Sequence, residues 1–279
     1  MNASLSMNSP IVAAVQMVST TNLAENLQVA RSLIAEAAKQ GANLVLLPEY
    51  FAIMARSNAE RLEAAEGYGN GPIQDFLSAT AKEYGIWLIC GSLPLYAEAA
   101  DRLYNALLVH DPQGNCIARY DKIHLFSFKK GKEYYNEGAV IEAGEHPVAI
   151  DTPLGRIGLS ICYDLRFPEL YRALGIVDLI VVPAAFVETT GQAHWEILLR
   201  ARAIENQCYV LAAAQGGLHE NGRQTHGNSM LIDPWGTIVE RRHKGPGIVL
   251  GELCHEKIAE VRQDLPALKH RVLKTINQM

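Results

Sequence analysis

The chain has 279 residues, of which 49% are hydrophobic and 20% charged. That mix supplies a sizeable core and excludes a disordered, collagen-like or coiled-coil protein. Against 25 basic residues stand 30 acidic ones, giving a net charge of −5 with no long basic cluster, so no nucleic-acid partner is expected.

Ile11–Met17 reads as a short apolar strand. Asn22 offers an N-cap, and Glu25, three residues on, completes a capping box. Leu27, Ala30, Ile34 and Ala37 recur at helical spacing, and Gly41 provides a stop. Leu44–Leu47 reads as a buried strand that ends at Pro48-Glu49. Pro72 opens a helix with Ile73, Phe76, Leu77 and Tyr84 along one side; Gly85 ends it, and Ile86–Cys90 is the next strand. Short, fully apolar strands between helices predict an α/β fold with helices covering at least one sheet face.

The chain also echoes itself. Leu44–Pro48 resembles Leu179–Pro183, and Asp111-Pro112-Gln113-Gly114 resembles Asp233-Pro234-Trp235-Gly236, each followed by an apolar strand. Each Asp-Pro-x-Gly predicts a hairpin. No Pro/Ser-rich linker separates the halves, so one two-sheet domain over residues 10–273 is expected, with a short tail at 274–279. The charged, helical stretch from about Glu256 is available to reach a partner subunit.

No apolar run approaches the roughly 18 residues of a membrane span. The polar start Met1–Pro10 lacks a charged-then-apolar leader pattern, so a cytoplasmic protein without membrane attachment is expected. The 5 cysteines are scattered without CxxC spacing, which argues against disulfides and a cysteine-based zinc site. His124, His194 and His226 are far apart and form no metal-binding pair. Gly67, Gly69 and Gly71 lack a phosphate-loop context, and no GxSxG elbow is present. Neither a metal nor a cofactor is expected.

Three residues stand out against their surroundings. Glu49 directly follows a buried strand, Lys122 sits in the mostly apolar Tyr120–Phe126, and Cys162 ends the strand Ile157–Ile161 just before a helix opened by Pro168. Ligands in open α/β sheets favour that strand edge. Singly, each has an ordinary explanation: a capping acid, a lysine reaching to water, a small buried hydrophobe. Together they are the parts that covalent acyl transfer needs. A free thiol is only a few per cent ionised at neutral pH, so a carboxylate must take its proton and later return it to the leaving amine. An ammonium, with the N–H of Tyr163, can hold the charge that develops on the attacked carbonyl oxygen.

The set Leu46–Glu49, Asp121–His124 and Ile161–Glu169 resembles the nitrilase, or carbon–nitrogen hydrolase, superfamily, and the likeness runs from about Ile11 to Leu273. The resemblance implies a four-layer αββα sandwich, a Glu49–Lys122–Cys162 triad, and a homodimer or larger homo-oligomer. It also implies a second site glutamate after the lysine. Its usual distance before the glycine matched by Gly144 selects Glu137, with Glu133 as the alternative. Nitrile-cleaving members carry Trp after the nucleophile; Tyr163-Asp164 here is similar to amidases of small acids.

Ala193–Glu205, Ala212–Gln215 and His226–Met230 are similar to the branches containing ω-amidase and deaminated glutathione amidase, the latter more closely. The substrate so implied is a small anionic amide. Arg166 is the candidate to bind its acyl-side carboxylate, unless it pairs with Glu169. Lys129, Lys130 and Lys132 are either mouth cations or ordinary solvated lysines; Arg200 and Arg202 read as packing or ion-pair residues. An ω-amidase, a transferase with an acceptor other than water, and a catalytically idle binding scaffold are the rival readings.

Overall fold

The computed structural model describes residues 9–99, 101–131 and 133–273. Residues 1–8, Ala100, Lys132 and the tail at 274–279 lie outside the described residues.

The first sheet contains β1 (Ile11–Gln16), β2 (Leu44–Leu46), β3 (Trp87–Ile89), β4 (Leu93–Tyr96), β5 (Leu103–His110) and β6 (Cys116–Asp121). A small separate hairpin, β7 (Ser127–Lys130) and β8 (Glu133–Asn136), follows. The second sheet contains β9 (Ala149–Thr152), β10 (Gly155–Leu159), β11 (Leu179–Ala184), β12 (Tyr209–Ala214), β13 (Ser229–Ile232) and β14 (Ile238–Arg242). The last strand, β15 (Gly247–Glu252), returns to the first sheet and pairs antiparallel with β1.

The internal echo has a structural counterpart. β1, β2 and β3 pair in parallel, as do β10, β11 and β12. The two Asp-Pro-x-Gly segments join the antiparallel pairs β5–β6 and β13–β14.

Helices α1 (Leu23–Lys39) and α3 (Pro72–Tyr84) cover the first sheet; α2 (Asn58–Glu63) is short. Helices α4 (Pro168–Ala173) and α5 (Glu188–Asn206) belong to the second sheet, and α6 (His255–Asp264) closes the described chain. Strand alternation sorts the core into layers. Ala13, Val15, Val45 and Leu47 pack with Ala30, Ile34, Ile73 and Leu77 of the helices. Their neighbours Val12, Ala14, Leu44 and Leu46 share a core with Leu159, Val181 and Leu211 of the other sheet, which continues to Trp195 and Leu199 of α5. The result is an αββα sandwich.

The helix signals act as expected, with one correction. Asn22 Oδ1 accepts the Glu25 N–H at 3.2 Å. The reciprocal half of the capping box is not formed, because the Asn22 N–H donates to Thr20 Oγ1 at 3.1 Å and the Glu25 carboxylate accepts from the same hydroxyl at 3.1 Å. A nearer local acceptor displaces the side chain one turn away. Pro72 opens α3, and Gly85 ends it in the left-handed region. Arg200 pairs with Glu196, and Arg202 with Glu205 and the Leu165 carbonyl, as structural contacts. α6 buries Ile258 and Val261, and its Arg262 reaches the Gln207 carbonyl and Asp178. Among the described residues no helix is long and apolar enough to cross a membrane.

The two sheets are stitched at one corner. The Gly216 N–H donates to the Met17 carbonyl at 2.8 Å, and Gln215 Nε2 reaches the Glu49 carbonyl at 3.1 Å. This places the ends of β1, β2 and β12 beside one another.

Candidate active site

Glu49, Lys122, Glu137, Cys162, Tyr163 and Arg166 all line one cleft of about 580 Å³. Glu49 follows β2, Lys122 follows β6, and Ala185 follows β11. Cys162 opens a 3-10 turn, Cys162–Arg166, three residues beyond the end of β10. Two glycines let the loops close on each other. A Cβ at Gly91 would lie 2.2 Å from the Pro48 carbonyl, and one at Gly144 would lie 2.1 Å from the Asp121 carbonyl. No side chain fits at either distance.

Lys122 is at the centre. Its Nζ lies 2.8 Å from Glu49 Oε1 and 2.8 Å from Glu137 Oε2, with all three side chains buried. Burial disfavours its ammonium, but the Glu137 and Glu49 carboxylates outweigh burial and hold its pKa well above the usual lysine value. Burial likewise pushes the Glu137 carboxyl up, yet the adjoining Lys122, the Tyr50 hydroxyl and the Phe126 N–H together hold it below the ordinary range. Glu49 Oε1 also accepts from Asn105 Nδ2 at 3.0 Å, and its Oε2 accepts the Ala185 N–H at 2.8 Å.

Cys162 is 6% exposed, so its thiol meets the cleft but little water. Burial and then the negative charge of Glu49, which adjoins the sulfur, push the thiol pKa well up. The resting group is therefore the thiol, not the thiolate. Cys162 and Tyr50 have φ of +50° and +57°, left-handed values that non-glycine residues adopt sparingly and that cluster at functional sites. The Tyr163 N–H lies in the first turn of the 3-10 helix, where no intrahelical acceptor exists.

The remaining sequence candidates sort clearly. Glu133 is in β8 and accepts from Thr189 Oγ1 at 3.0 Å, away from Lys122. Arg166 does not pair with Glu169; its Nη1 lies 3.1 Å from His194 Nδ1, and its guanidinium lies over Tyr163 and Phe186. Lys129 and Lys130 are exposed on β7 and do not line the cleft. Among the described residues no group of 3 or more His, Cys, Asp or Glu side chains is arranged to hold a metal ion.

Several groups at or behind the cleft wall escaped the sequence reading. Tyr50 donates its hydroxyl to Glu137. Asn105 interrupts the apolar β5, Leu103–His110, and that interruption was the available signal. Arg61 lies over the Tyr50 ring at 5.2 Å; Arg223 lies over Tyr135 at 5.3 Å and donates to the Ala185 carbonyl at 2.9 Å. Neither arginine has a carboxylate partner among the described residues.

A carbon–nitrogen hydrolase family model matches residues 11–263. The deaminated glutathione amidase of Synechocystis sp. is 44% identical over 269 residues, covering 94% of this chain and 98% of its own. The C. elegans NitFhit protein superposes with a TM-score of 0.87 at 37% identity; the match covers 95% of this chain and 65% of that longer one. Saccharomyces cerevisiae Nit3, a member of branch 10 of the nitrilase superfamily, superposes with a TM-score of 0.84 at 31% identity, covering 95% and 97% of the two chains. Matched along nearly its whole length, with the αββα architecture to go with it, the chain belongs to the carbon–nitrogen hydrolase family and is a hydrolase of carbon–nitrogen bonds other than peptide bonds.

Proposed function

We propose that this amidase hydrolyses deaminated glutathione through a thioester on Cys162, with Glu49 as general base and acid, Lys122 and the Tyr163 N–H as oxyanion donors, and Glu137 as the partner that orients Lys122. The observation that carries the reading is the convergence of Glu49 and Glu137 on Lys122 beside Cys162 at the base of the cleft. The substrate assignment draws on relatives such as the Synechocystis amidase.

Because the thiol is the resting form, its proton must leave as the sulfur attacks the amide carbon, and Glu49 adjoins it to receive that proton. Lys122 has three N–H donors, of which two meet carboxylates. The third, with the Tyr163 N–H, stabilises the oxyanion; one such donor is worth about 3 kcal/mol. Glu49 then gives its proton to the departing amine, and a thioester remains. Water enters the amine's place, Glu49 takes its proton, and collapse of the second oxyanion releases the acid while the proton returns to sulfur.

Deaminated glutathione carries a carboxylate at each end. Arg61, Arg166 and Arg223 line the cleft on aromatic platforms and supply local cations in a chain of net charge −5.

The test is kcat/KM for deaminated glutathione beside 2-oxoglutaramate, with Cys162→Ala as the blank. Faster turnover of deaminated glutathione, absent in Cys162→Ala, is expected. Preference for 2-oxoglutaramate would assign an ω-amidase instead, and full activity in folded Cys162→Ala would end the mechanism.

A further inference from the structure

Asp164 is 0% exposed, two residues beyond the nucleophile, and four donors converge on its carboxylate. The Ile161 N–H reaches Oδ2 at 2.8 Å and the Tyr120 hydroxyl reaches it at 2.7 Å. The His124 N–H reaches Oδ1 at 3.0 Å, and His124 Nδ1 lies 2.7 Å from the same oxygen. The His124 ring is also stacked on Phe167, with centroids 3.7 Å apart and planes 5° from parallel. One carboxylate thus ties together two loops that are distant in sequence. Ile161 precedes Cys162, and its bond closes the turn that holds Cys162 at a φ of +50°. Tyr120 and His124 flank Lys122 on either side.

We infer that Asp164 is a positioning residue that locks the Cys162 turn to the Lys122 loop through His124 and Tyr120, keeping sulfur and ammonium in register. The inference rests on Cys162 and Lys122 being the reacting pair. Without the carboxylate, the left-handed turn at Cys162 loses the bond that closes it, and the 122–124 loop loses its anchor. Both reacting groups would then drift, while Arg61 and Arg223, which lie on other segments of the cleft wall, stay in place. Misplacement on that scale lowers the chemical step more than it lowers binding.

The experiment compares Asp164→Asn, His124→Ala and their double variant with wild type. Ile34→Ala, in the core between α1 and the first sheet, serves as a destabilised control away from the cleft. Three quantities are read: kcat and KM for deaminated glutathione, the iodoacetamide modification rate at Cys162 by peptide mass spectrometry, and Tm. Asp164→Asn and His124→Ala are expected to lower kcat by about tenfold to a hundredfold with KM nearly unchanged, and to alter the Cys162 modification rate. The double variant is expected to be no worse than Asp164→Asn, as coupled residues require. Ile34→Ala is expected to lower Tm alone.

If Asp164→Asn and His124→Ala behave as Ile34→Ala does, the inference is overturned. Should Asp164→Asn not fold, His124→Ala decides the matter, since its side chain is partly exposed and its loss leaves the core intact. Wild-type Cys162 modified no faster than the buried Cys90 would overturn the reactive-thiol reading, and with it this inference. That outcome is visible before any variant is measured.

Discussion

Glu49 and Ala185 meet across the sandwich: the Ala185 backbone N–H, at the end of β11, donates to Glu49 Oε2 at 2.8 Å. With Lys122 and Asn105 on the other oxygen, the carboxylate is held at both ends. A carboxylate fixed in this way is well held for the proposed role of base. Glu49→Gln preserves shape but cannot accept the thiol proton, and kcat is expected to fall by about 10²- to 10⁴-fold. Intact-protein mass spectrometry after substrate addition tells which half-reaction suffers. An unmodified mass places the block at acylation, whereas an acyl adduct places it at hydrolysis. An unchanged rate would remove Glu49 as the base.

Lys122→Met tests the central cation. It leaves the buried Glu49 and Glu137 carboxylates facing each other without a positive charge between them. Breaking a buried pair by removing one partner costs about 3–5 kcal/mol. A clear drop in Tm is therefore expected together with loss of turnover. The double variant Lys122→Met/Glu137→Gln, which also removes one of the stranded charges, is expected to recover part of the Tm but none of the activity. Equal Tm in the single and double variants would refute the electrostatic account.

The same pair predicts the pH dependence of stability. Glu137 has a depressed pKa in the fold, so its stabilisation is present above the unfolded glutamate value of about 4.3 and fades as pH falls through the folded value. Lys122 has a raised pKa, so its stabilisation is complete below the unfolded value of about 10.4 and fades as pH rises toward the folded value. A plot of Tm against pH is expected to show a plateau between these limbs. Glu137→Gln should flatten the acid limb, and a limb identical to wild type would count against the pairing.

The arginines predict a charge-selective loss. Arg61→Gln and Arg166→Gln each remove a cation from the cleft wall without touching Lys122. A hydrogen bond to a charged group is worth about 1.5–3 kcal/mol, so kcat/KM for deaminated glutathione is expected to fall by roughly 10- to 100-fold, mostly through KM. The matching analogue with its terminal carboxylate amidated should lose less in whichever variant contacts that end. Equal losses for both substrates in both variants would show that neither arginine reads the terminal carboxylate.

Much of the architecture was legible because apolar strands and caps are local signals. The Leu44–Pro48 and Leu179–Pro183 likeness corresponds to two equivalent central strands, β2 and β11. Glu49, Lys122 and Cys162 stood out because each interrupts or ends an apolar run. The choice of Glu137 over Glu133 needed the resemblance, since the two are four residues apart and only geometry separates a Lys122 neighbour from a Thr189 partner. Arg61 and Arg223 gave no signal. Their place in the cleft depends on stacking, of Arg61 against Tyr50 at a spacing no periodic element marks, and of Arg223 against Tyr135, which is remote in sequence. Lys129 and Lys130, the more conspicuous cations, are exposed on β7 and do not line the cleft. The capping box at α1 failed for a similar reason, Thr20 being a competitor that a three-residue spacing rule does not weigh.

The stitch at Met17 and Gln215 has an operational meaning. Glu49, Lys122 and Glu137 come from one half of the polypeptide, and Cys162, Ala185 and Arg223 from the other. In the proposed reaction, proton donor and acceptor therefore ride on different sheets, held in register by the core the sheets share, by β15 pairing with β1, and by the bonds at Met17, Glu49 and Gln215. Loss of that one core would release both sheets at once. On heating, turnover and the far-ultraviolet signal are accordingly expected to disappear together.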